Sequence, residues 1–129
     1  MKKTLLSLLL VASAAMAEVN WAASYDDALE IAHKSKKHVM IMLSRENCPG
    51  CEYMSDIVFE DKVIYDEINK NFVSLYIDIN KDFVPDGLGY IGTPTIHFLD
   101  SDGKKIGRQD GAANIPNFLG VIGKNKPKK

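Results

Sequence analysis

Val39-Met40-Ile41-Met42-Leu43-Ser44-Arg45-Glu46-Asn47-Cys48-Pro49-Gly50-Cys51 is the stretch from which the rest of the chain can be read. Five apolar residues in a row, Val39 to Leu43, need cover on both faces, the pattern of a central strand. Cys48 falls where that strand gives way to a helix, and residues three apart on a helix are neighbours on one face. The Cys48 and Cys51 sulfurs can therefore close a small ring. Unpaired N–H groups at a helix start favour an anion, here a thiolate. Because the thiolate is the attacking species in disulfide exchange, Cys48 is the expected nucleophile and Cys51, one turn deeper, the resolving thiol. Pro49 suits the first helical position, and Gly50 is expected to leave the sulfur accessible.

Outward from this point, Ser24 and Asp27 resemble a capping box opening a helix, with Ala28, Leu29 and Ala32 on its apolar face. After the cysteines, Cys51, Met54 and Val58 share a helical face, and Val63, Ile64 and Ile68 make a second stripe. Phe72 to Ile77 reads as a strand ending at Asp78, and a strand–helix–strand crossover implies a right-handed unit with parallel strands. Residues 79–92 form an irregular connection with Pro85, Gly87, Gly89 and Gly92. Pro94 to Leu99 then reads as a strand, Asp100-Ser101-Asp102-Gly103 as a turn, and Lys104 to Arg108 as an antiparallel return. Ile115, Phe118, Leu119 and Ile122 mark a final helix, with a Lys-rich tail from about Gly123. That tail is read as solvated, with docking of an anion as the alternative. The expected fold is α/β, a mixed central sheet with helices on both faces.

The 129 residues suit one domain, and 46% hydrophobic with 26% charged residues describes a globular chain. A net charge of −1 supplies no global field for nucleic acid or an anionic membrane. Lys2 and Lys3, an apolar run from Leu5 to Ala17 and the ending Ala15-Met16-Ala17 describe a cleaved secretory signal over residues 1–17. Glu18 and Asn20 come too soon for a spanning helix, so no stable membrane insertion is expected after cleavage. The single domain would occupy residues 18–129. Export to a periplasmic or other oxidising compartment would let a disulfide persist.

Other readings of the cysteine pair are weaker on the residues alone. A c-type haem site needs His after the second cysteine, where Glu52 stands. A zinc site needs two further ligands, and His33, His38 and His97 have no paired spacing. A purely structural disulfide stays open, although so short a loop constrains the unfolded chain little.

The strand running into Cys48-Pro49-Gly50-Cys51, the crossover, and Gly92-Thr93-Pro94-Thr95 opening a strand that ends in Leu99-Asp100 together resemble the thioredoxin superfamily. Met54, Val58-Phe59, Asp61, Val63, Asn71-Phe72-Val73 and Asp78 are similar to exported thioredoxin-related proteins and to the C-terminal domain of DsbD-type reductases. The resemblance spans about Trp21 to Asn125. It implies a thioredoxin-like fold, an exposed nucleophile at Cys48, a buried resolving cysteine at Cys51, and a cis-proline at Pro94 facing the disulfide. Thr93, before it, would offer backbone to substrate. Two positions depart from the family: Asn47 replaces the usual aromatic residue, and Met42 stands where a buried acid often serves the second cysteine, with Glu46 or a water as substitute.

The expected activity is thiol–disulfide exchange with client proteins, on the reducing or isomerising side, without cofactor or metal. A membrane thiol donor would supply the electrons. The alternatives are a non-catalytic binding module whose disulfide shapes a docking surface, and a dithiol oxidase.

Overall fold

A computed structural model describes residues 17–128, so residues 1–16 of the expected signal segment lie outside the described residues. The elements run α1 (Tyr25–Ser35), β1 (His38–Ser44), α2 (Pro49–Tyr53), a π-helical turn (Met54–Val58), α3 (Lys62–Asn71), β2 (Phe72–Asp78), β3 (Thr95–Leu99), β4 (Lys105–Asp110) and α4 (Ile115–Asn125). The four strands form one mixed sheet in the order β2-β1-β3-β4. β1 and β2 are parallel, with Met42 opposite Tyr76, while β3 runs antiparallel to both of its neighbours. The parallel crossover and the antiparallel return follow the sequence reading.

Alternation along the strands divides the core in two. Met40, Met42, Phe72, Ile96 and Phe98 face the π-helical turn, α3 and α4, meeting Met54, Ile64, Ile68, Phe118 and Ile122. Val39, Ile41, Leu43, Val73, Leu75 and Ile77 face the other way, onto Ala28 and Ala32 of α1. Both faces of β1 are thus covered, which is why its sequence is apolar without a break.

Helix ends are set by side chains. The Ser24 hydroxyl accepts the Asp27 N–H, so the expected capping box is present in its forward half. Asp61 and Asn114 accept the N–H groups of Ile64 and Asn117 at the starts of α3 and α4. β4 runs Lys105–Asp110 where the sequence reading gives Lys104 to Arg108, and two helices also differ from expectation. α4 continues through Gly123 and Lys124 to Asn125, where the Asn125 side chain donates to the Val121 carbonyl and the His38 imidazole bonds the Asn125 carbonyl. The tail therefore starts later than Gly123. In α3 the buried stripe is Ile64 and Ile68 alone, since Val63 is 56% exposed.

Residues 18–22 run along the outer edge of β2. The Ala22 N–H donates to the Ser74 carbonyl, Asn69 bonds both the Asn20 N–H and the Glu18 carbonyl, and Trp21 packs edge-on against Phe59 and Tyr76.

The connection from β2 to β3 is pinned from beneath. Lys105 donates to the Gly87 carbonyl, Leu88 is buried, and the His97 Nε2–H donates to the Gly89 carbonyl at 2.7 Å. His97 is buried beside Ile41 on the sheet, and that burial pushes its imidazole below the ordinary value of 6.5, with Arg108 and Lys105 adding to the shift. A histidine held neutral by the fold stabilises it fully above the unfolded value of ~6.5, and that contribution is lost as pH falls through the lower folded value. We expect the urea midpoint to drop between pH 7.5 and 5.5, and to drop less in a His97→Gln variant. Equal slopes in the two proteins would remove His97 as the cause.

Candidate active site

β1 ends at Ser44, and the chain reverses through Arg45, Glu46 and Asn47. Asn47 adopts φ 55°, a left-handed conformation that asparagine tolerates better than most side chains. The position where the resembled pattern carries an aromatic ring is thus a tight bend. The bend delivers Cys48 to the N-cap of α2, where its Sγ accepts the Cys51 N–H at 3.2 Å. Pro49 occupies the first helical turn, as its fixed φ favours. Cys48 and Cys51 are joined as a disulfide, with Cα atoms 5.2 Å apart.

The loop before β3 lies against this ring. The Thr93–Pro94 peptide bond is cis. The Thr93 hydroxyl donates to Cys48 Sγ at 3.3 Å, and the Pro94 carbonyl accepts the Gly111 N–H. A Cβ placed on Gly50 would sit 3.0 Å from Pro94 Cδ and 3.6 Å from Ala112 Cβ. Gly50 therefore permits a close approach of helix and loop, which is a different service from the open access read in the sequence. Cys48 is correspondingly 2% exposed and Cys51 4%, so the expectation of an exposed Cys48 is corrected: Thr93 and its loop cover the sulfur. The six residues singled out in the sequence, Cys48, Pro49, Gly50, Cys51, Thr93 and Pro94, lie together.

The two cysteines have different surroundings. Cys48 meets Thr93, whereas Cys51 contributes to the wall of a cavity of ≈ 340 Å³ between the end of β1 and the π-helical turn. Ser44 and Tyr76 line the same cavity, and the Tyr76 hydroxyl donates to Ser44 Oγ at 2.7 Å. Neither residue stands out in the sequence, because each is an ordinary strand residue until β1 and β2 are paired. Met42 is fully buried in the apolar cluster that includes both cysteines. Glu46 is exposed and paired with Lys81, whose ammonium is held above its ordinary value by that hydrogen bond and charge. Glu46 is thus a surface ion-pair partner on the cavity rim.

The turn following Cys51 is π-helical, closed by the Phe59 N–H donating to the Met54 carbonyl at 2.8 Å. The extra residue per turn keeps Met54 and Val58 both buried. Met54 Sδ in turn accepts the Ala113 N–H at 3.5 Å, tying this helix to the segment before α4. His33 pairs with Asp102, and His38 and His97 bond backbone carbonyls. Among the described residues, no group of three or more His, Cys, Asp or Glu side chains is arranged to hold a metal ion. No helix among them is long and apolar enough to cross a membrane.

The model of a thioredoxin-like domain matches residues 25–126. Among curated proteins, none matches this sequence. A putative disulphide-isomerase from Bacteroides thetaiotaomicron superposes with a TM-score of 0.69 at 28% identity, over 84% of this chain and 93% of its own. A thioredoxin from Thermus thermophilus superposes at 0.68 and 25% identity, over 81% and 85%. The reduced C-terminal domain of DsbD from Neisseria meningitidis shares the fold at 0.62 and 19% identity, over 78% and 93%. With the family's model matched from α1 to the end of α4, and with a four-stranded mixed sheet carrying the cysteine pair where β1 meets a helix, the chain belongs to the thioredoxin-like family.

Proposed function

We propose that this chain is an exported thiol–disulfide oxidoreductase that exchanges its Cys48–Cys51 dithiol with disulfides of client proteins. The observation that carries the reading is the Cys48 sulfur itself, which accepts hydrogen bonds from the Cys51 N–H and the Thr93 hydroxyl. Donors aimed at a sulfur stabilise its thiolate once the disulfide is reduced. In the reduced protein the Cys48 thiolate attacks one sulfur of a client disulfide, and the second client sulfur leaves as a thiolate and takes up a proton. Cys51, deprotonated in its turn, attacks Cys48. The Cys48–Cys51 bond forms, the mixed disulfide breaks, and two electrons have passed to the client.

The burial of Cys48 bears on access. A client must displace or slide beneath the Thr93 side chain, and an extended client segment would lie along the loop where Tyr90 and Ile91 are exposed. The same burial favours the second reading, a binding module whose disulfide only shapes a docking surface. Stoichiometric oxidation of the reduced protein by a disulfide-bonded client separates the two, since a binding module would leave its cysteines reduced.

The direction of exchange follows from the charge near the sulfurs. Pro49 and Gly50 offer no side-chain donor, and Glu46, Glu52 and Asp56 all line the cavity beside Cys51. Negative charge disfavours a thiolate, so the reduced form gains less from its ionisation than in a strong oxidant. We therefore place the protein on the reducing or isomerising side, recharged in an oxidising compartment by a membrane thiol donor. The segment Leu5 to Ala17 supports export.

Three outcomes test this reading. Cys51→Ser protein should accumulate mixed disulfides through Cys48 and Cys48→Ser protein should not; the reverse pattern would exchange the two roles. Thr93→Val removes one donor to the Cys48 sulfur, and alkylation of reduced Cys48 near neutral pH should slow by a few-fold, corresponding to roughly 1 kcal/mol for one hydrogen bond. An unchanged rate would remove Thr93 from the activation of Cys48. Equilibration against a glutathione buffer should give a potential below ~−180 mV, whereas a value near ~−120 mV would make the protein an oxidase.

A further inference from the structure

The resolving step requires a proton to leave a buried place. Cys51 is 4% exposed, and as a thiol it must lose its proton before it can attack the Cys48–client bond. On the Cys48 side, the Thr93 loop covers the disulfide and a bound client would cover it further. Met42, packed in the same cluster as both sulfurs, offers no group that takes up a proton. What remains is the cavity whose wall Cys51 forms.

Two hydroxyls are fixed in that wall. Ser44, the last residue of β1, is fully buried, and Tyr76 of the neighbouring strand donates to its Oγ at 2.7 Å. A hydroxyl has one donor and two acceptor positions, so Ser44 Oγ keeps capacity for a further partner while holding Tyr76. Tyr76 is 41% exposed, with its ring braced edge-on by Trp21, so the pair reaches from the interior to solvent. At ≈ 340 Å³ and lined by polar groups, the cavity has room and partners for ordered water. The charged groups facing it are Arg45, Glu46 with its partner Lys81, Glu52 and Asp56. Three carboxylates against one arginine leave the wall net negative, so a proton entering its water is better tolerated there than in the apolar cluster around Met42.

We propose that this cavity is the proton port of the resolving step, in which water held by the Ser44–Tyr76 hydroxyl pair takes the Cys51 proton and passes it to solvent. The inference rests on the redox reading above and adds positioning residues to it. The Cys51 S–H bond breaks as the proton moves to water. The thiolate electron pair forms the bond to Cys48 Sγ, and the client sulfur departs with the pair of the broken disulfide. The step then gains and loses no atoms beyond that proton.

The test uses the reduced protein and dithio-bis-nitrobenzoate, whose thiolate product absorbs visible light. Attack by Cys48 releases one thiolate and resolution by Cys51 releases the second, so stopped-flow absorbance resolves the two steps. Tyr76→Phe keeps the ring against Trp21, and Ser44→Ala removes the other hydroxyl. In both variants we expect the second phase to slow by about tenfold or more near pH 6–7. The difference should vanish near pH 9, where hydroxide deprotonates Cys51 directly, while the first phase matches that of wild type at each pH. A second phase equal to wild type at every pH would overturn the port and leave the redox reading standing. Slowing by one factor at all pH values would make the pair merely structural and would also overturn it. A wild-type protein that releases no second thiolate would instead sink the redox reading itself.

Discussion

The first turn of α2 and the ring of Pro94 meet so closely that a side chain at position 50 would be crowded. At 3.0 Å from Pro94 Cδ, a Cβ on Gly50 would be tighter than ordinary packing, and its neighbour is a closed ring that cannot swing aside. Much of the site hangs on that approach. It sets the height of the Cys48 sulfur against the loop and brings the Thr93 hydroxyl within hydrogen-bonding distance. It also places Ala112 over the helix start, so that the segment before α4 closes the same corner. The loop can meet the helix so closely because it is held from below by His97, Lys105 and Leu88.

Around that corner the two cysteines divide the surroundings between them. One sulfur is addressed by hydrogen-bond donors and by the loop a client must engage, the other by a polar cavity between the end of β1 and the π-helical turn. The division follows from geometry: residues three apart on a short helix share a face but not a height. Cys48, at the N-cap, looks across to the loop before β3, while Cys51 looks toward the ends of β1 and β2.

Much of this was legible in the sequence, for physical reasons that differ by element. The unbroken apolar run of β1 announced a strand covered on both faces, and the spacing of Cys48 and Cys51 announced a ring on a helix start. Thr93 and Pro94 could be placed beside the sulfurs only through resemblance, because nothing local in Gly92-Thr93-Pro94-Thr95 says what it faces. What stayed hidden depends on pairing across the chain. Ser44 and Tyr76 meet because of the parallel register, and the cover over Cys48 arises from a loop more than forty residues away. Val63 has the right residue type for a core stripe but lies on the outer side of α3, where residue type alone cannot separate it from its neighbour Ile64. The late end of α4 was hidden for a related reason: His38, from the start of β1, holds a carbonyl that two nearby glycines and lysines made look solvated.

The strip of chain over residues 18–22 bears on how molecules of this protein behave toward one another. β2 is the outermost strand on its side, and an outermost strand offers backbone groups to any second chain that approaches. Here the Ser74 carbonyl is already taken by the Ala22 N–H, the Asp78 carbonyl at the far end of the strand accepts the N–H groups of Lys81 and Asp82, and the indole of Trp21 packs edge-on against the ring of Tyr76 between them. The border is covered at Ser74, at Asp78 and by the indole between them, which discourages sheet growth through β2 between copies at high local concentration. A chain trimmed into this strip would lose that guard and, with Val19, a buried member of the cluster that holds both sulfurs.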